Sequence, residues 1–336
     1  MGNQAAWRTS ELHLYLSIMS EKRISDYVVE DTVTGFFSVR KKEVREYTRG
    51  QYVHLELGDS SGRIDGKMWE PDQFALNELE SGMVVKARGT VTEYNGKKQL
   101  TVDKVRKAEP SEFTLEDILP FSSQSLEERR ARILDLTEKI QNSYIKQLAE
   151  TFWKDEKFFS EFLSAAAGKL WHHAYIGGLS EHSANVAELA LRVAAGYDFL
   201  DKDLLIFGGL FHDAGKVEQY KIDTMIDYTD SGRLIGHICI ADAWITERAH
   251  KIESFPDSLL IKLRHMILSH QGQLEYATPV LPQMPEAFAL FYCDEIDSKM
   301  GAIDRIRERQ GGTGWSEYVK LLERHLFFGD NEKGKE

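Results

Sequence analysis

The hydrophobic residues of this chain keep two different periods, and the change between them falls near residue 120. Before it, "QYVHLELGDSSGRIDGKMW" alternates Tyr52, His54 and Glu56 with Val53, Leu55 and Leu57. Period two marks a half-buried strand, because successive side chains point to opposite faces. After it, Leu126, Ile133, Leu136, Ile140, Ile145 and Leu148 keep helical spacing with charges between them. The chain therefore reads as a β domain followed by an all-α domain. Its 336 residues, 42% hydrophobic, suffice for two separate cores.

The β half can be ordered. "TVTGFFSVRKKEVREY" precedes the alternating segment, "GDSSG" supplies a turn, and "RIDGKMW" starts a partner strand. "PDQFALNELESG" fits a short helix opened by Pro71 and closed by Gly82. "MVVKARGTVTEY" and "KQLTVDKVRKAE" are two more strands, joined by an Asn-Gly hairpin signal. Three strands, a helix and two strands is the order of the OB-fold, a small five-stranded barrel. The expected divisions are an N-terminal extension over 1–31, the barrel over 32–110, a connector and helical lead-in over 111–160, the main helical domain over 161–328, and a flexible tail over 329–336. "QGGTG" at 310–314 reads as a joint before a last helix.

A formal charge of −12 excludes a protein that coats nucleic acid with its whole surface. The two cysteines, Cys239 and Cys293, form no C-x-x-C pair and read as reduced, packed thiols. The N-terminus has no basic stretch followed by a long apolar one, and Gly2 lacks Ser or Thr at the myristoylation spacing. No apolar run is long enough for a membrane span. A cytoplasmic protein without a membrane partner is the expectation.

Five segments of the helical half set metal-ligand residues among apolar positions. His182 lines up with Val186, Leu189 and Val193; His212, followed by Asp213, lies past Leu205 and Gly208. His237 shares a face with Ala241 and Trp244, His270 follows Leu263 and Ile267, and Asp294 follows Ala287 and Leu290, with Asp297 next on the same helix. One such histidine is ordinarily a satisfied core residue, and one such aspartate a cap or a solvated charge. Five together would leave several imidazoles and carboxylates desolvated, at several kcal/mol. A cation removes that objection, since it binds neutral His and ionised Asp directly.

The H…HD…D order of His182, His212, Asp213 and Asp294 resembles the HD-domain superfamily of metal-dependent phosphohydrolases. The OB-fold followed by "WHHAYIGGLSEH", "FHDAGK", "GHI", "LSHQG" and "CDEIDSKM" resembles the YhaM-type 3′→5′ exoribonucleases, over most of the chain. The resemblance implies one divalent metal on His182, His212, Asp213 and Asp294. A second would share Asp213 and use His237 and His270. Two cations roughly 3.5–4 Å apart can activate water and stabilise a leaving oxygen. The family points to Mn2+; the His and carboxylate set also suits Fe2+, Co2+, Zn2+ or Mg2+. Lys216, freed by a helix end at Gly215, would contact the scissile phosphate; the alternative is a solvent-exposed lysine. His172 and His173 match a histidine pair of the family, one of which would contact phosphate or protonate the leaving group; a loop or capping role is the alternative. Gln271 departs from the paired histidines of many two-metal members. The second site is then weaker, filled by water, or completed by His265.

The barrel sequence interleaves aromatic and basic residues, as single-strand binders do. Phe37, Arg40, Lys41, Lys42, Tyr52, Arg63, Lys67, Trp69, Tyr94 and Lys97 are the candidate contacts. Residues 34–107 carry a net charge of about +3, leaving about −15 for the rest. That asymmetry is what a nucleic-acid module on an acidic protein shows; barrel core and strand solvation are the plainer account. The expected activity is metal-dependent 3′→5′ hydrolysis of single-stranded RNA, with ssDNA as a further substrate, to 5′-mononucleotides. RNA over DNA and the exonucleolytic direction come from the resemblance alone. The alternatives are an HD-type nucleotide or phosphoester phosphohydrolase and a non-catalytic single-strand-binding adaptor. A homo-oligomer is compatible with all three.

Overall fold

The alternation of the first half resolves into five strands: β1 (Thr32–Tyr47), β2 (Gly50–Gly58), β3 (Arg63–Met68), β4 (Val84–Tyr94) and β5 (Lys97–Lys107). The computed structural model describes residues 22–48, 50–169, 173–309 and 312–330. Residues 1–21 of the expected extension, Arg49, His172 and the end of the tail lie outside them. β1 pairs with β4 through its first half and with β2 through its second. A register shift between Val39 and Lys41 bends the strand where it changes partners. β3 and β5 pair in parallel, closing the barrel in the order β1-β2-β3-β5-β4. This is the OB-fold expected from the strand order.

The barrel interior holds Phe37, Val39, Val53, Leu55, Leu57, Val91 and Leu100. Each such side chain contributes about 1.5–3 kcal/mol by leaving water. Ile24 and Tyr27 belong to the same core, so the chain before β1 is part of the barrel rather than an extension from residue 22 onward. The expected helix at Pro71 is reduced to one wide turn, Phe74–Glu78.

The chain divides into two units, Met1–Pro120 and Phe121–Glu336. The short helix α1 (Leu115–Ile118) closes the first. The second holds α2 (Leu126–Glu138), α3 (Ser143–Trp153), α4 (Glu156–Ser164), α5 (Gly178–Ala194), α6 (Lys202–Phe211), α7 (Lys216–Gln219), α8 (Asp230–Leu234), α9 (His237–Ala249), α10 (Asp257–Ser269) and α11 (Pro285–Arg309), with a hairpin of β6 (Tyr220–Ile222) and β7 (Ile226–Tyr228). Polar caps set the early helix starts. Ser125 Oγ accepts from Glu128 N while the Glu128 carboxylate accepts from Ser125 N. Asn142, Asp155 and Asp201 cap α3, α4 and α6 through the side-chain oxygen alone.

Residues 126–160 were expected as a lead-in, yet Ile133, Leu136, Leu148, Phe152, Phe158 and Phe159 lie in the main helical core. No helix follows α11 among the described residues. Residues 312–330 fold back on themselves through Trp315–Phe327 and Val319–Arg324 bridges. Gly314 N donates to Gly329 O and Phe328 N to Gly314 O, which uses the backbone groups a helix would need. Both cysteines are free; Cys293 is buried, but Cys239 is exposed rather than packed. No helix among the described residues is long and apolar enough to cross a membrane.

Two glycines bring the site elements close. A Cβ on Gly209 of α6 would stand 2.5 Å from Ala187 Cα of α5, and one on Gly215 would stand 2.1 Å from His237 O. The first lets α5 and α6 cross in contact. The second admits the start of α9 beside the turn that follows α6.

Candidate metal centre

His182 sits in the second turn of α5, and α6 ends at Phe211 with His212 as its cap and Asp213 in the turn beyond. His237 opens α9, His270 caps α10, and Asp294 lies on α11. Three helix ends and two positions within helices thus converge around the Asp213 carboxylate. Its Oδ2 lies 3.4 Å from His212 Nε2 and 3.6 Å from His182 Nε2. Its Oδ1 lies 3.2 Å from His237 Nε2 and 3.5 Å from His270 Nε2. Asp294 Oδ1 is 3.2 Å from His182 Nε2 and 3.9 Å from His212 Nε2. The six residues read from the sequence are brought together, as two groups sharing Asp213.

The outer ring nitrogens are all engaged. His212 Nδ1 donates to Gly209 O at 3.0 Å and His270 Nδ1 to Ile267 O at 2.7 Å. His237 Nδ1 lies 2.9 Å from Gln219 Oε1 and His182 Nδ1 2.7 Å from Asp297 Oδ2. A backbone carbonyl can only accept, so the proton of His212 and of His270 sits on Nδ1. Their Nε2 lone pairs then face Asp213. Burial pushes His237 down to about 4, against the pull of Asp213, and keeps it neutral. Burial also works against the charged form of His182, but Asp294 and Asp297 outweigh it and raise that imidazole to about 10. Burial would raise Asp213 and Asp294 too. Lys216 and His212 hold the first, and His182 and His212 the second, well below the usual carboxylate range.

Other expected residues are placed differently. Lys216 does not follow a helix end: it opens α7, is buried, and donates to Asp213 Oδ2 at 2.5 Å. His173 is buried, with both ring nitrogens bonded inside the protein. His265 Nε2 accepts from Gln283 N at 2.9 Å, and His265 is not among the compact His and Asp groups. The Gln271 amide nitrogen lies 3.0 Å from His270 Nε2 and competes for that lone pair.

On the barrel, Tyr52 and Trp69 rings are 4.9 Å apart, and Tyr47 meets both. Lys67 lies over Tyr94 at 4.8 Å and over Trp69 at 5.9 Å. Lys97 is exposed and pairs with Tyr94 across the β4–β5 turn. Five expected contacts are occupied elsewhere. Phe37, at 1% exposure, is core and has no face for a base. Lys42 donates to Leu76 O and Leu79 O, at 2.8 and 2.7 Å, and ties down the turn after β3. Burial lowers Arg40 to about 10, and its Nη2 donates to Ile118 O. Arg63 pairs with Glu56 at 2.8 Å. Lys41 pairs with Glu43.

Comparison with known proteins fits both units. Residues 32–108 match an OB-fold nucleic acid binding domain and residues 179–299 an HD domain. The 3'-5' exoribonuclease YhaM of Bacillus velezensis is 30% identical over 309 residues, spanning 91% of this chain and 98% of that protein. The chain belongs to the YhaM exoribonuclease family. Among solved structures, the second OB-fold domain of replication protein A from Methanococcus maripaludis matches 26% of this chain and 94% of its own, at 23% identity and a TM-score of 0.23. A replication protein A heterotrimer bound to ssDNA matches 26% of this chain and 63% of its own, at 17% identity and a TM-score of 0.21. Scores so low add no weight to either reading.

A YhaM-family HD domain implies divalent metal, and the residues fit it. Asp213 Oδ1 and His237 Nε2 are buried with no hydrogen-bond partner, although only 3.2 Å separates them. With His237 donating through Nδ1, both facing atoms are acceptors. Two lone pairs held at that distance without a proton repel, and a cation between them reverses the sign. Two of the compact His and Asp groups meet at Asp213: His182, His212 and Asp213, then Asp213, His237 and His270.

Proposed function

We propose that this protein is a Mn2+-dependent 3′→5′ exoribonuclease that shortens single-stranded RNA to 5′-mononucleotides. The observation that carries the reading is Asp213, whose two oxygens each face a separate pair of imidazole Nε2 atoms. His182, His212, Asp213 and Asp294 would hold one cation; Asp213, His237 and His270 would hold a second, more weakly because of Gln271. When bound, such cations polarise the phosphate and lower the pKa of water.

The residues then divide the remaining work. Asp213 stays ionised, so it would serve both cations as a ligand and not as a proton donor. Its bond to Lys216 fixes an ammonium at the centre, where it would stabilise a phosphate oxygen that gains charge in the transition state. The outer bonds from Gly209, Ile267 and Gln219 hold the rings in one tautomer, so binding costs no reorientation. Tyr52, Trp69, Tyr94, Lys67 and Lys97 of the barrel would hold the strand by stacking and charge. Stacking tolerates any base, which suits an exonuclease that must advance through sequence.

The test is single-stranded RNA labelled at one end or the other, with Mn2+ or with chelator. A 5′ label should walk down a ladder and a 3′ label should leave at once as mononucleotide, both stopping on chelation. Hydrolysis of free nucleotides without shortening would identify the phosphohydrolase instead. Shortening that survives His212→Ala with Asp213→Ala would leave only a strand-binding adaptor.

A further inference from the structure

His173, for which contact with substrate was one expectation and a loop role the other, is held from two sides by the protein. His173 is 6% exposed, and its ring makes two short contacts with the protein. Nδ1 lies 2.6 Å from the Tyr175 hydroxyl, and Nε2 lies 2.8 Å from Asp297 Oδ2. The same Asp297 oxygen stands 2.7 Å from His182 Nδ1. One carboxylate oxygen therefore receives two imidazoles, one of which turns its other nitrogen to Asp213 and Asp294. Neither nitrogen of His173 is left to meet a phosphate or a leaving group.

The backbone shows that this placement is imposed. His173 takes φ 44, in the left-handed region that a β-carbon disfavours. Its carbonyl accepts from Ala167 N at 3.2 Å, which holds the turn in that conformation. Tyr175 continues the chain inward: its hydroxyl bonds to Glu181, and burial with Glu181 nearby raises it, so it stays protonated. Glu181 in turn accepts from Ser122 Oγ at 2.5 Å. The order is Ser122, Glu181, Tyr175, His173, Asp297, His182.

We propose that His173, backed by Tyr175, is a positioning residue that holds the Asp297 carboxylate on His182 Nδ1 and so aims His182 Nε2 at the metal. The inference rests on the reading of the centre as a metal site. Outer partners of this kind tune metal affinity by about 10–100-fold, and a residue acting through them leaves chemistry largely intact once metal saturates.

The experiment titrates Mn2+ into chelator-stripped full-length protein by calorimetry, and measures turnover of labelled RNA at saturating Mn2+. His173→Ala should weaken Mn2+ binding about 10–100-fold, with most of the lost turnover recovered at saturating metal. His173→Gln places an amide nitrogen near Nε2 and should restore most of the affinity. Tyr175→Phe, which deletes one hydroxyl, should weaken Mn2+ by a smaller factor. If His173→Ala keeps wild-type Mn2+ affinity while turnover at saturating metal collapses, His173 works on the substrate and the proposal fails. If that variant does not fold, Tyr175→Phe decides: undiminished Mn2+ affinity overturns the proposal. A wild-type protein that takes up no Mn2+ would instead overturn the metal reading beneath it.

Discussion

Asp213 is the residue on which two halves of the centre depend, and its substitution separates binding from chemistry. Asp213→Asn keeps size and polarity but replaces one bridging oxygen with a donor that repels a cation. Turnover should fall on the order of a thousandfold or more, as groups that act as one unit fail together. Strand affinity, measured by fluorescence anisotropy, should stay within about twofold, because stacking on the barrel supplies it. A loss of binding equal to the loss of turnover would contradict that division. Five of the six converging residues were legible because each continues an apolar helical stripe, where a polar group needs a reason, and Asp213 because it adjoins His212. Asp297 was named beside Asp294 but given no role, because its bonds to His173 and His182 cross from α11 to the other side of the site. The positioning role proposed for His173 was hidden for a related reason. Its role depends on a left-handed turn, and no local pattern announces one.

At the level of elements, the site is only as good as the contact between α5 and α6. Their crossing sets His182 Nε2 3.1 Å from His212 Nε2, and Gly209 against Ala187 permits it. Gly209→Ala forces a methyl group into space that Ala187 already fills. Overpacking of this kind costs about 1–3 kcal/mol, so thermal denaturation should show Tm lower by roughly 2–12 °C for a domain of this size. Mn2+ affinity should fall with it, since the two rings move apart; an unchanged Tm would mean that the helices adjust freely. Periodicity revealed most of these elements, because burying one face imposes it on strand and helix alike. It failed where a different force decided. The region after α11 follows backbone bonds around Gly314 rather than an apolar stripe, and Phe37 belonged inside because β1 alternates inward at Val33, Gly35 and Phe37.

For the whole molecule, the charge asymmetry in the sequence has a narrower meaning than its sum suggests. Several basic residues of the barrel are committed to protein partners: Lys42 to two carbonyls, Arg63 to Glu56, Lys41 to Glu43. Of the candidate basic contacts, Lys67 and Lys97, beside the exposed Tyr94, are not so committed. Stacking and charge should then be separable. Tyr52→Ala with Trp69→Ala should weaken single-stranded RNA binding by at least about tenfold at any salt concentration, given about 1–3 kcal/mol per stacked base. The two will not add simply, since the rings touch. Lys67→Ala should instead reduce the slope of log affinity against log salt by about 0.7, the share of one phosphate on a single strand. Lys42→Ala should leave that slope unchanged and lower thermal stability, because it loses two half-buried bonds to carbonyls and no phosphate contact. Were Lys42→Ala to change the salt slope as much as Lys67→Ala, the strand would have to run over the face of the wide turn after β3, and the aromatic face would not be its path.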